Sequence, residues 1–146
     1  MITQDKAEKS VQEAERLQLY GWQWFKALDV AKVRAACNGC GPAWMGEDWR
    51  DGLTEWLDLL FTAFCLHDCR FTFDNDGTRE RFDFANDELD KNCRLLVDSE
   101  YGWYNPMRYI WRNRARLVAK VCRDFGWSAW RDAYGEILKS NKGENK

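Results

Sequence analysis

The chain has one histidine, His67, and the next residue is an aspartate, Asp68. An imidazole can act as a general base near neutral pH, and a carboxylate supplies the oxygen ligands that Ca²⁺ prefers. Consecutive residues of a helix point about 100° apart, so the two side chains cannot face the same group. If His67 faces a cleft, Asp68 faces the segment packed beside the helix. The alternative is a lone histidine that is hydrogen-bonded at the edge of the core.

Two helices and a loop would have to position this pair. Apolar residues at helical spacing predict a helix over 53–71 and another over 80–97, separated by a turn at 74–79. Residues 37–52 contain four glycines and a proline, which is typical of a loop. The sequence therefore predicts that the loop and the helix pair surround His67.

Further helices are predicted on both sides. Residues 4–36 have the spacing of one long helix or two short ones, with a possible break at Gly21. Asn105-Pro106 predicts the start of a helix that ends near residue 125, and a short amphipathic helix is expected from Ser128. No segment has the pattern of a strand, so the predicted fold class is mainly α.

Three motifs of the central region occur in an order that is known from one enzyme family. They resemble the phospholipase A2 superfamily, in particular its compact viral, bacterial and fungal branches, over residues 37–93. The motifs are Cys40-Gly41-Pro42, His67-Asp68 with Phe71, and Phe84-Ala85-Asn86-Asp87-Glu88-Leu89-Asp90-Lys91-Asn92. The resemblance implies a phospholipase A2-like fold in which two antiparallel helices carry the His–Asp site beside a Gly-rich metal loop, with extra N- and C-terminal helices.

The resemblance also implies an activity, the calcium-dependent hydrolysis of the sn-2 ester of phospholipids. His67 would be the general base that activates water, and a carboxylate on the facing helix would hold its other ring nitrogen. Asp68 would bind Ca²⁺ together with the backbone carbonyls of Gly39 and Gly41. The ion would polarise the ester carbonyl.

Two positions depart from the family pattern. Phe71 stands where the family has tyrosine, and Asn86 stands where it has the aspartate that pairs with the histidine. Helical phase places Asn86 on the inward stripe and Asp87 about 100° away. Either Asp87 takes the catalytic role through a small register shift, or the enzyme is weak or inactive. The alternative function is a non-catalytic protein-binding module, for instance an inhibitor or a host-interaction factor of a bacterium or phage.

The cysteines allow a different metal. Cys37, Cys40, Cys65 and Cys69 have a spacing compatible with a structural Zn²⁺ site, in which Cys65 and Cys69 share one helix face. Without a signal peptide, reduced thiols are the expected state of the six cysteines, although disulfides remain possible.

The charges are distributed unevenly. Residues 1–46, 47–100 and 101–146 carry net charges of +1, −9 and +6. Arg112, Arg114 and Arg116 lie in a basic helix bordered by Trp and Tyr, which suits an anionic phospholipid or membrane surface and would also suit RNA. The alternative is that these arginines pair with the acidic middle of the chain. A net charge of −2 argues against a general nucleic-acid binder.

Length and hydropathy limit the remaining possibilities. The 146 residues suffice for one domain over 1–146, and no apolar run approaches the roughly 20 residues of a membrane span. The polar N-terminus is not a secretory signal, so we expect a protein that is cytoplasmic as synthesised, with release or action in a host cell as a further possibility.

Overall fold

The computed structural model describes residues 2–37 and 58–144. Within these ranges the chain is helical and has no strand, which confirms the predicted mainly α class. A 3₁₀ turn, Asp58–Leu60, leads into the fourth helix. The helices are α1 (Gln4–Arg16), α2 (Trp22–Ala27), α3 (Val30–Ala36), α4 (Phe61–Phe73), α5 (Arg79–Glu100), α6 (Met107–Phe125) and α7 (Trp127–Glu144).

The N-terminal region contains three helices, so the prediction of one or two over 4–36 is wrong. Gly21 does mark a break: its φ is +81°, in the left-handed region that glycine tolerates. A second break follows at Leu28, whose backbone is extended. The Asp29 side chain then accepts a hydrogen bond from the Ala31 backbone N–H (2.9 Å) and caps α3.

Helices α4 and α5 form a hairpin around a tight turn. Gly77 has φ +76°, and a Cβ at this position would lie 2.5 Å from the Tyr134 ring, so both the backbone and the close approach of α7 require glycine. The Asn75 side chain accepts a hydrogen bond from the Gly77 N–H (2.9 Å), and Thr78 caps α5 by accepting one from the Arg81 N–H (3.2 Å). The turn predicted at 74–79 therefore has its own local signals.

Helix α6 packs along α5 in the antiparallel sense, since Asp98 of α5 pairs with Arg112 near the start of α6 and Asp87 pairs with Arg123 near its end. Just before α6, whose N-cap is Pro106, the Asn105 side chain accepts a hydrogen bond from the Met107 N–H (3.0 Å). The predicted final helix is present, but α7 is 18 residues long rather than short.

The buried apolar side chains form two clusters. The larger one joins helices α1 to α5 and includes Ala115 of α6. The smaller one consists of Phe82 and Ala85 of α5 and Trp130 of α7, with Phe71 and Trp127 packed against it. This second cluster lies beside His67, because the His67 and Phe71 ring centroids are 4.7 Å apart.

Candidate active site between α4 and α5

His67 and Asn86 meet across the interface of α4 and α5. The His67 Nε2 atom lies 3.1 Å from the Asn86 Oδ1 atom, and both side chains are buried. The Asn86 Nδ2 group donates to the Phe82 carbonyl (3.0 Å), which fixes the orientation of the amide. Asn86 Oδ1 is therefore an acceptor, His67 Nε2 carries the proton, and the lone pair of the neutral ring is on Nδ1.

The surroundings of His67 favour the uncharged ring. Burial lowers the pKa of His67 from 6.5 to about 4, and the hydrogen bond with Asn86 opposes this effect only in part. Phe71 packs on the imidazole, and the Trp130 ring in turn meets Phe71 edge-on at 4.8 Å. At neutral pH the histidine is thus an uncharged base in an aromatic environment.

The Asp87 carboxylate, the alternative partner considered from the sequence, does not reach the histidine. It points to the surface, where its Oδ1 atom lies 2.6 Å from an Arg123 nitrogen. The reason is helical phase, since Asn86 already occupies the inward position of α5 and the next residue is rotated by about 100°. The register shift that would place Asp87 against His67 is absent.

The proposed calcium ligands are only partly within the described ranges. Asp68 follows His67 on α4 and is half-buried. Gly39 and Gly41 lie outside the described residues. Among the residues that the structure describes, no three His, Cys, Asp or Glu side chains come together as a metal site. A cation at Asp68 would therefore need further ligands from backbone or from the segment 38–57.

One pair of the described cysteines differs from the expected reduced state, whereas Cys69 and Cys122 are free thiols. Cys37, directly after α3, forms a disulfide with Cys65 of α4, and the Cα atoms are 5.1 Å apart, within the usual range for such bonds. The disulfide uses two of the four sulfur atoms that the alternative zinc site would require. A third candidate ligand, Cys40, lies outside the described residues. Burial raises the pKa of the fourth candidate, Cys69, to about 12, which disfavours the thiolate that zinc requires.

A buried ion pair lies next to the His67–Asn86 pair, and sequence inspection missed it. Arg70 donates to both carboxylate oxygens of Glu88 (3.0 and 2.9 Å) and to Asp74 (2.8 Å). Its guanidinium lies 3.9 Å from the centre of the Trp24 ring. The available signal was phase: Arg70 is one turn after the inward-facing His67, and Glu88 lies between the apolar inward residues of α5.

The three arginines predicted to face an anionic surface have different surroundings. Arg112 donates to both carboxylate oxygens of Asp98 (2.8 Å each), and Arg114 lies over the Trp111 ring at 5.1 Å. Arg116 is exposed. Arg112 therefore pairs with the acidic middle of the chain, which is the alternative that the sequence analysis considered for the basic helix.

Comparisons with known proteins return nothing that resembles this chain. No protein-family model, no curated protein and no solved structure matches it.

None of the helices in the described ranges has both the length and the apolar composition needed to cross a bilayer.

Proposed function

We propose that the chain is a phospholipase A2-like hydrolase of low activity, with His67 as the general base. The contact between His67 Nε2 and Asn86 Oδ1 across two helices carries this proposal. The contact holds the ring in the tautomer whose Nδ1 lone pair is free to take a proton from water. The same arrangement of base and orienting partner is what the sequence resemblance implies for residues 37–93.

The low activity follows from the neutral partner. A base acts best when its pKa is near the working pH, whereas the pKa of His67 is about 4. When the ring takes up a proton, the imidazolium needs an anion to stabilise it, and the Asn86 amide has no charge. In serine proteases, replacing the aspartate behind the histidine with asparagine costs about 10⁴ in turnover, mainly through the wrong tautomer. Here the tautomer is correct, so the loss is limited to electrostatic stabilisation.

Calcium is the metal that this proposal assigns. Asp68 fits it as a hard carboxylate ligand beside the base, and the backbone of Gly39 and Gly41 would supply the remaining oxygens. Bound Ca²⁺ would polarise the ester carbonyl. The chain's own contribution is to hold His67 and Asp68 on consecutive positions of α4, a helix most of whose residues are buried in the core.

Asn86→Asp tests the proposal directly. A carboxylate at the position of the amide raises the pKa of His67 and stabilises the imidazolium, so we expect calcium-dependent hydrolysis of mixed phospholipid vesicles to rise by about 10²-fold or more. Activity should disappear in EDTA and in the double variant Asn86→Asp with His67→Ala. Asp87→Asn is the matched control, since it changes the neighbouring residue on the exposed side of α5 and should leave hydrolysis unchanged.

The alternative, a non-catalytic protein-binding module, is favoured by one observation. His67 is only 7% exposed and its ring packs on Phe71, so aromatic packing covers much of the imidazole. If the wild type, Asn86→Asp and His67→Ala all hydrolyse no more phospholipid than buffer, while Asn86→Asp stays folded, the enzyme is excluded and this module remains.

A further inference from the structure

The interface between α5 and α6 has a gap in its ion pairing. Near one end Asp98 binds Arg112 and Arg108, and near the other Asp87 binds Arg123. Between these pairs lies a groove of about 140 Å³. Its lining residues are Asp90, Arg94, Arg112, Asn113, Ala115 and Arg116. Its lining on α5 begins at Asp90, roughly 6 Å along the helix from Asn86, and reaches Arg94 at roughly 12 Å, counting 1.5 Å per residue.

The groove carries unbalanced positive charge. Neither Arg94 nor Arg116 has a carboxylate within ion-pair distance among the described residues, although other arginines of the same interface do. Asp90 is the acidic residue of the lining, and it too lies outside ion-pair distance of both guanidinium groups. Arg112 is already bound to Asp98. Two guanidinium groups and the Asn113 amide are thus available to an oxyanion, which arginine binds well.

Exposed apolar side chains lie on α6, the helix that contributes Arg112, Asn113, Ala115 and Arg116 to the groove. Tyr109 precedes Asn113 and Arg116 by four and seven residues, so the three share one face of the helix. Tyr109 is 58% exposed, Ile110, the next residue, is 44% exposed, and Leu117, which follows Arg116, is 62% exposed. Just before α6, Trp103 and Tyr104 are each 77% exposed. Residues 101–123 contain no acidic residue.

We propose that this groove binds the phosphate of an anionic phospholipid at a membrane surface. Arg94, Arg116 and Asn113 hold the phosphate oxygens, while Tyr109, Ile110 and the Trp103–Tyr104 pair enter the headgroup region. Amphipathic aromatic rings are favoured at that depth, and basic residues near the surface are attracted to anionic lipid. The apolar residues point to a lipid rather than to free phosphate, which needs only the polar lining. This binding goes beyond the proposed hydrolysis and does not depend on it.

Vesicle co-sedimentation of the full chain in EDTA tests the site without hydrolysis. Wild type should bind vesicles of phosphatidylcholine with phosphatidylglycerol and not phosphatidylcholine alone, and added salt should weaken binding. Arg94→Gln with Arg116→Gln should lower the partition coefficient roughly 30-fold at low salt, from the known contribution of basic residues near anionic membranes. Lys139→Gln with Lys142→Gln removes the same charge from α7 and should have a much smaller effect.

Two further measurements complete the test. The melting temperature of the arginine double variant should be at least that of wild type, since no ion pair is lost. Tyr109→Ser with Ile110→Ser should weaken vesicle binding several-fold, whereas Leu138→Ser on α7 should not. The proposal is overturned if wild type does not bind anionic vesicles, or if both charge variants bind equally. Stabilisation by inorganic phosphate or binding of a single-stranded oligonucleotide, without vesicle binding, would also overturn it.

Discussion

Two polar pairs cross the interface of α4 and α5 within one helical turn, and they differ in charge. His67 and Asn86 form a neutral pair, whereas Arg70, three residues further along α4, forms an ionic pair with Glu88. Burial lowers the pKa of His67 and raises the pKa of Glu88, so it opposes charge on both. Only the second pair has opposite charges and several hydrogen bonds to offset this cost.

The two pairs differ in how fully their polar groups are used within the fold. The Arg70 guanidinium donates to two carboxylates and lies against Trp24, so its hydrogen bonds are used within the fold. Glu88 also packs against Gly21, where a Cβ would lie 2.7 Å from its Oε2 atom. The ionic pair thereby holds Gly21, the residue before α2, against α5. His67, in contrast, has a ring nitrogen that neither Asn86 nor this network uses.

The largest expected effect comes from breaking the ionic pair. Glu88→Gln keeps the shape of the side chain but leaves Arg70 buried with only Asp74 as a charged partner. Because both side chains are about 5% exposed, we expect the free energy of unfolding to fall by about 3 kcal/mol in denaturant titrations. The double variant Arg70→Met with Glu88→Met should recover most of this loss. A loss below about 1 kcal/mol for Glu88→Gln would show that the pair contributes no more than a surface ion pair.

The neutral pair predicts a pH dependence with a defined sign. The folded protein binds a proton at His67 only below about pH 4, whereas the unfolded chain does so below about 6.5. Between these values the unfolded state holds more protons, so stability falls as the pH is lowered from 6.5 to 4. The pKa shift corresponds to about 3 kcal/mol of folding stability, and this stability is fully lost only at pH values below the pKa of the folded state.

His67→Gln isolates this contribution, because the carboxylates titrate alike in both proteins. The difference in the free energy of unfolding between wild type and His67→Gln should change by about 3 kcal/mol between pH 7 and pH 4. In Asn86→Asp the pH dependence of the free energy of unfolding should weaken, since the new carboxylate stabilises the protonated ring. Parallel curves for wild type and His67→Gln would mean that the ring titrates as it does in the unfolded chain.

The neutral pair was one of two alternatives that the sequence left open, whereas the ionic pair was not predicted. Apolar periodicity locates α4, α5 and α6 and places Asn86 on the inward face, since these are local properties of a helix. The Arg70–Glu88 pair, the Cys37–Cys65 disulfide and the position of Trp130 against Phe71 depend on contacts between distant elements. Helical phase marks Arg70 and Glu88 as inward-facing, but local spacing does not tell which inward residues of two elements meet. Gly39 and Gly41, central to the calcium hypothesis, lie outside the described residues, so that part stays a prediction.

The smallest expected effect concerns the outer member of the ionic network. Asp74 accepts hydrogen bonds from Arg70 (2.8 Å) and Arg81 (2.6 Å), but its side chain is 20% exposed, so water can replace part of what is lost. Asp74→Asn should therefore lower the free energy of unfolding by about 1 kcal/mol, in the range of ordinary hydrogen bonds.

Asp83→Asn is the matched control, because the Asp83–Arg79 pair is more than half exposed at both ends and should contribute almost nothing. Urea titrations of Asp74→Asn, of Glu88→Gln and of the variant that combines these two substitutions complete the comparison. If Asp74→Asn costs as much as Glu88→Gln and the double variant costs no more than either, the charged residues act as one unit. The α4–α5 interface would then contain a network of Arg70, Glu88 and Asp74 beside the simple pair of His67 and Asn86, because the stability that the charged residues contribute would depend on all three.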